Sequence, residues 1–432
     1  MNRIMRHTIS ACALGVGLAM AVNAMAGPAT DKELLDVLLK KGTITQSEYD
    51  ELLKSTEDDV EVSTSGGRLR FKSGEASFEV GGRIMVDTAV FDGNDDLHNG
   101  SEIRRARLFM SGHVYDNWKF KLQTDFAGNE VTLKDAYIRY TGLEYADITV
   151  GNFKEPFSLN ELTSSKYITF MERALPVEAF APSRHLGIGG HSHSNGGLNW
   201  TAGYGIFGDS VNSDNNSGSN EGNGTAARLT IAPIAEKGRV LHFGGYGEWR
   251  SPTDSEVRYR ARPEAHIANE RLVDTGTINN VDHTVKWGLE TAAVMGPFSL
   301  QGEYMQVEND VNGASDPTFS GWYAYGSWFI TGESRAYKTS SGTFDRIKPK
   351  SIVGKGGIGA WELGARFSSI DLNDAGITGG EEKDLTLGLN WYATPTIRFM
   401  ANYVKVMDLT DPQNVTDDSE PNIFEMRAQI DF

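Results

Sequence analysis

Apolar and polar positions alternate with period two along most of this chain, from about Glu75 to the last residue. Around 118–126, Trp118, Phe120, Leu122, Thr124 and Phe126 take one phase while Lys119, Lys121, Gln123 and Asp125 take the other. Successive strand side chains point to opposite faces, so such a segment offers one face to an apolar medium and one to water. The pattern recurs in Leu198–Ile206, Val285–Leu289, Trp361–Phe367, Leu385–Trp391 and Phe424–Phe432. It predicts strands near 76–91, 102–115, 117–126, 130–141, 146–153, 186–194, 197–207, 224–232, 239–250, 282–294, 296–308, 319–330, 358–370, 383–393, 395–407 and 424–432. A soluble sandwich could contain one such strand. Sixteen of them, an even number, predict an all-β fold: an antiparallel transmembrane barrel.

Turn lengths bear on the same reading, because these barrels have short periplasmic turns and longer outer loops. Asp116-Asn117, Asn195-Gly196, Gly296-Pro297 and Thr394-Pro395 are tight and share one parity. Asp92–Ser101, Ser210–Gly224, Asp371–Asp384 and Asp408–Asn422, rich in Gly, Asn and acid, share the other and are expected as outer loops. Thr331–Gly357 is long yet falls on the periplasmic parity, and the alternation gives no account of it. The third outer connection, Lys154–His185, carries Phe157, Leu159, Leu162, Phe170, Met171 and Phe180. An apolar loop of that length needs burial, and a wide barrel offers its own lumen. In the fifth, Ser251–Asp282, Val257, Tyr259 and Ala261 alternate with Arg258, Arg260 and Arg262.

Ahead of the barrel pattern the period changes. Leu34, Leu35, Val37, Leu38 and Leu39 form an apolar helical stripe that Gly42 ends, and Thr45 with Glu48 makes a capping box for a second helix. Packing against the barrel base, oligomerisation and a periplasmic contact are all open to this unit. Before it, Arg3, Arg6 and His7 precede an apolar stretch, Ile9–Val22, and Ala24-Met25-Ala26 has the small-x-small form of a signal-peptidase site. The expected division is therefore a signal peptide at 1–26, a periplasmic helical segment at 27–66 and the barrel at 67–432. Cys12 lies near the start of the apolar core, where a lipoprotein box does not belong, and no cysteine follows it. Thiol chemistry and disulfides are excluded from the mature chain.

Composition then narrows the class. Beyond the leader no apolar run approaches the roughly 20 residues of a spanning helix, and mean hydropathy is −0.37, which excludes a helical membrane bundle but not a barrel. The formal net charge is −17, and loss of Arg3 and Arg6 with the leader takes it to −19. A balance that acidic argues against a nucleic-acid partner. It does not describe a channel interior, where local placement decides.

On strand phase, Arg83, Arg105, Arg107, Lys119 and Lys121 point to the lumen, with Arg139, Arg228 and Arg366 as single additions. Arg104 falls on the other phase, at its strand's end. Rings of Arg or Lys select anions, and the guanidinium fork matches phosphate oxygens. Asp125 shares the face of Lys121 and suits either an acceptor for a protonated phosphate oxygen or a salt bridge to Lys121. His185, His191 and His193 cluster without an evident third metal ligand. Gly187–Gly190 lacks a phosphate-loop Lys, and no catalytic constellation or cofactor motif stands out.

The chain resembles the phosphate-selective porins O and P. The resemblance rests on Gly81-Gly82-Arg83, Arg104-Arg105-Ala106, Asp116-Asn117-Trp118-Lys119, Thr163-Ser164-Ser165-Lys166 with Glu172-Arg173, Gly359-Ala360-Trp361-Glu362-Leu363, Asn390-Trp391-Tyr392-Ala393, Ala401-Asn402-Tyr403-Val404-Lys405 and the terminal Phe432. It implies a homotrimer of sixteen-stranded outer-membrane barrels whose third and fifth loops fold inward, with an arginine ladder leading to a central anion site. Arg83, Arg104 and Arg105 match the ladder, Asp125 and Lys166 the central site, and Arg258, Arg260 and Arg262 the fifth loop's share. Lys405 matches a family lysine but lies on the outward phase. Where the phosphate-specific members carry an aromatic after Arg-Arg-Ala, this chain has Arg107. The implied partners are inorganic anions (phosphate, pyrophosphate, chloride) and, for the acidic outer loops, divalent ions with lipopolysaccharide. A general or cation-preferring porin is the competing reading, motivated by net charge. It loses ground because the acids concentrate in the outer loops and the cations on lumen phases.

Overall fold

The computed structural model describes residues 28–56, 60–65, 67–194, 197–211, 221–410 and 419–432. The expected leader, the expected Asn195-Gly196 turn and the middles of the expected outer loops at 210–224 and 408–422 lie outside the described residues. Sixteen strands form the wall: β1 (Ala76–Asp92), β2 (Gly100–Val114), β3 (Trp118–Asp125), β4 (Thr132–Tyr140), β5 (Asp147–Lys154), β6 (Arg184–Ser194), β7 (Asn199–Phe207), β8 (Asn223–Glu236), β9 (Arg239–Ser251), β10 (Val281–Met295), β11 (Phe298–Val311), β12 (Thr318–Phe329), β13 (Ala360–Asp374), β14 (Ile377–Tyr392), β15 (Ile397–Thr410) and β16 (Asn422–Asp431). Each pairs antiparallel with its successor, and β16 returns to β1 with Asp431 opposite Arg83. Every strand expected from the alternation has its counterpart.

Burial follows the sequence phase. In β8, Leu229 on the outward phase is 58% exposed while Arg228 on the inward phase is 5% exposed. Leu289, Leu300 and Ile206 likewise stand outward. A soluble sheet would bury such residues, and a continuous outward apolar face is what lipid solvates.

Three expectations need correction. Asp371–Asp384 is not a loop: β13 runs to Asp374 and β14 resumes at Ile377. Ala375 (φ 52°) and Gly376 (φ 85°) are both left-handed, the signature of a two-residue turn that matches strand twist, so the acidic stretch is strand rather than loop. Arg104 is not at a strand end, as described below. Finally, the acids are not confined to the outer loops, because Glu290, Glu303, Glu382 and Asp384 are buried on inward phases.

The long 331–357 connection also finds its place. Ala336–Lys338 pairs only with Thr343–Asp345, so this hairpin adds nothing to the wall. It is turned into the lumen by inward-facing donors: His191 Nε2 lies 2.7 Å from Ser340 O, and Arg228 donates to Ser341 O and Gly342 O at 3.2 and 2.7 Å.

At the N-terminus, α1 (Pro28–Lys40) and α2 (Gln46–Thr56) pack on each other, with Tyr49 Oη donating to Asp36 at 2.6 Å. The capping box forms: Thr45 N donates to Glu48 Oε2 at 2.8 Å and Glu48 N to Thr45 Oγ1 at 3.3 Å. The helical segment stops short of 66, since Glu61–Ser65 is a strand that pairs with Arg68–Ser73. The latter pairs with Ala76–Val80 of β1. β16 reaches only to Arg83, so this added strand covers an edge that would otherwise be open.

The third loop (155–183) and fifth loop (252–280) fill the barrel. Phe157, Phe170, Val177 and Phe180 of one join Tyr259, Val273 and Ile278 of the other against Met305, Val307 and Tyr323 of the wall. Each such burial contributes about 1.5–3 kcal/mol, which is why these loops fold inward instead of standing in water.

Candidate functional site: a cation-lined lumen

The third loop is fixed to the wall by ions as well as by rings. Arg427 on β16 donates through Nε and Nη2 to both oxygens of Asp87 on β1, at 2.7 and 2.6 Å, and again to Glu172 at 2.7 Å. Arg104 meets Glu172 with two bonds of 2.9 Å. Burial alone would raise the Glu172 pKa, but Arg104, Arg105 and Arg427 outweigh it and hold the carboxyl well below the usual carboxylate range.

The approach of Arg104 depends on a β-bulge. Met85 is opposite Arg105 and Val86 opposite Ile103, so Arg104 is the extra residue. A bulge breaks strict alternation, and here it sends two consecutive arginines inward, where phase counting allowed one. Arg83 on β1 and Arg107 on β2 lie opposite each other in register.

These side chains meet in a lumen cavity of about 390 Å³. Arg83, Arg105, Arg107, Lys121, Lys134, Arg139, Lys154, Arg173 and Arg184 line it, nine cations against the carboxylates Asp135 and Glu161. A second cavity of about 850 Å³ shares Arg83, Lys121, Gln123, Tyr137, Arg139 and Ser164 with it and adds Lys166 and Lys119. The cationic wall is thus continuous between the two spaces. Several of the charges are spoken for: Lys121 pairs with Asp135 at 2.6 Å, as does Arg184 at 2.7 Å, and Arg173 pairs with Glu161 at 2.8 Å. Arg83, Lys134 and Arg139 have no carboxylate partner among the described residues. Arg83 donates to Ser165 at 2.7 Å, and Arg139 to Thr149 at 2.8 Å.

The remaining candidates divide. Asp125 does not pair with Lys121; it takes Arg107 at 2.6 Å and accepts from Ala106 N at 3.0 Å, because the register sets it opposite Arg107. It backs Arg107 from outside the smaller cavity's lining. Lys166 is buried, 3.4 Å from Asp431, which also pairs with Arg346. Desolvation, with repulsion from Arg83, Arg346 and Arg68, lowers the Lys166 ammonium to about 8 despite Asp431. In the fifth loop, Tyr259 and Ala261 are buried as their phase requires. Of the alternating arginines, Arg258 pairs with Asp274, Arg262 donates to Ala268 O at 2.9 Å, and Arg260 is exposed with no ion pair to a described residue. Lys405 keeps the outward phase. Arg228 and Arg366 do face inward but are held by Glu290 and Glu264.

The histidines give no metal centre: His185 pairs with Glu155, His191 bonds to Ser340 O, and His193 stacks on His191. A different trio, Asp282, His283 and Asp310, gathers its ligand atoms within 4.8 Å on the outer rim. Lys134, Arg346 and Arg427 join the candidates only in the structure. Phase alone could have found Arg427, which alternates with Phe424, Met426 and Ala428.

A closed barrel with an apolar outer band, a lumen filled by its own loops and a charged path through them is an outer-membrane porin. Solved structures agree on the fold: OmpT of Vibrio cholerae with its eighth loop deleted (TM-score 0.53, 12% identity, 83% of this chain and 100% of that one) and an anion-selective porin from Comamonas acidovorans (TM-score 0.52, 12% identity, 83% and 100%). The sequence is more specific, for residues 78–432 match the family described as phosphate-selective porin O and P, and the chain belongs to that family. Similar proteins include Porin O of Pseudomonas aeruginosa, 28% identical over 96% of this chain and 98% of its own. An uncharacterised protein of Caulobacter vibrioides is 33% identical over 85% of this chain and 76% of its own.

Proposed function

We propose that this porin passes anions by diffusion, phosphate and its condensed forms foremost, along the cationic wall that begins at Arg83. The observation that carries the reading is the nine-to-two excess of cations in the smaller lumen cavity of a chain whose net charge is −17. An anion there meets guanidinium forks as well as charge, a donor set that suits tetrahedral oxyanions. In this reading Arg83, Lys134 and Arg139 take the ion directly. Arg105 adds charge at the cavity wall and Arg104, paired with Glu172, adds field from beyond it, while Asp125 and Asp135 orient Arg107 and Lys121. Lys166 completes the site from the third loop, while Arg258, Arg260 and Arg262 collect anions at the outer mouth. Family membership supports a homotrimer, and the acidic outer loops suit divalent ions shared with lipopolysaccharide. The test is reversal potential in a salt gradient across planar bilayers. An anion-selective sign with chloride current blocked by added phosphate is expected; a cation-selective sign overturns the proposal.

A further inference from the structure

The most anomalous charges in the molecule lie away from the cationic wall. Glu382 and Asp384, two residues apart on β14, share its inward face and are 0% exposed. None of their four carboxylate oxygens accepts a hydrogen bond from the described residues, and neither does Glu264 Oε1 near them. Buried polar groups go unpartnered rarely enough that each needs an explanation, and an ion is one.

The surroundings do not neutralise them. From the fifth loop comes Glu264, from the third loop Glu178, and from β13 Arg366, whose register partner Thr386 lies just beyond Asp384. Ser368 and Ile370 lie opposite Asp384 and Glu382 on β13, and Val406 and Leu409 on β15. Arg366 is already committed: it donates to Glu264 at 3.0 Å and to Glu172 O at 2.9 Å, and it covers the Phe170 ring. Arg262 turns to Glu178 at 3.5 Å. Arg262, Arg271 and His266 face Glu178 and Arg366 serves Glu264, so Glu382 and Asp384 are left without an ion pair among the described residues, a surplus of two negative charges in a place where uncompensated charge is very costly.

We infer that Glu382 and Asp384 hold one hard divalent cation of the calcium or magnesium class, with Glu264 of the fifth loop reaching it through the ion's water. The donors are all carboxylate oxygen, without nitrogen or sulfur, which favours such cations over transition metals. A cation of this class keeps part of its water shell, so two carboxylates with a third nearby suffice. The ion balances the surplus and ties the fifth loop to β14, next to the arginine that also braces the third.

The experiment uses the full chain, purified in detergent and stripped with chelator, titrated with Ca2+ by calorimetry and followed by elemental analysis. One Ca2+ per chain above the count for Glu382→Gln/Asp384→Asn is expected. If that double variant does not assemble, Asp384→Asn alone should weaken the site about tenfold or more. The inference falls if wild type binds no more Ca2+ or Mg2+ than the variant up to about millimolar. It falls equally if infrared spectra of the wild type in Ca2+ show two protonated carboxyl bands that the double variant lacks, since protons then supply the neutralisation.

Discussion

If Lys166 takes part in holding the permeating anion, affinity should fall as pH rises through about 8, where its ammonium loses its proton. The sign follows from the charge: the cation is present below that value and lost above it. Lys166 is roughly nine-tenths charged at pH 7 and one-tenth at pH 9, a tenfold drop in the charged fraction that caps the effect. A unit-charge pair at 4 Å contributes about 4 kcal/mol at an effective dielectric of 20. The guanidiniums of Arg83 and its lumen neighbours remain after Lys166 is neutral, so only part of that is lost. Retaining even about 1.4 kcal/mol of difference makes the charged form bind tenfold tighter, and mixing the two populations then gives about a fivefold loss between pH 7 and 9. The expected range is thus about five- to tenfold. The assay is block of chloride current by sulfate, whose charge is constant over this interval, whereas the charge of phosphate is not. Lys166→Arg keeps its charge and should flatten the profile. A wild-type profile that stays flat, or an unchanged slope in Lys166→Arg, refutes the assignment of Lys166 to the anion path.

Two further outcomes test the frame around the site. Glu172→Gln leaves Arg104, Arg105 and Arg427 without their shared carboxylate; loss of one partner from a buried ionic group costs about 3–5 kcal/mol, and the third loop should become cleavable by protease in the folded barrel. Asp125→Asn frees Arg107, so low-salt anion conductance should rise; an unchanged conductance would place Arg107 off the path.

The wall was readable because lipid on one side and polar groups on the other impose a two-residue period that survives in every strand. Legibility ends where that period is locally suspended. Glu381, Glu382 and Lys383 look like a surface loop, yet they lie within β14 because a two-residue turn follows Asp374. The extra residue at Arg104 appears in the sequence only as a slip of phase. Contacts between distant segments were illegible for another reason: Arg427 meets Asp87 across 340 residues, and no local pattern encodes which acid a lumen arginine will find. The resemblance named Arg83 and the Thr163–Lys166 stretch, which meet in the lumen, Arg83 donating to Ser165. It could not tell that Asp125 would be taken by Arg107 and Lys121 by Asp135.

The bulge at Arg104 also bears on how such a lumen changes over generations. A regular strand presents one inward side chain about every 6.6 Å, a spacing that substitution can decorate but never tighten. Inserting one residue doubles the inward charge at a single height while leaving the outward apolar residues of β2 on their side of the wall. Insertions and deletions in this strand therefore move the lumen's charge density in whole steps, and a lineage could gain or lose an arginine pair without any arginine codon being created or destroyed.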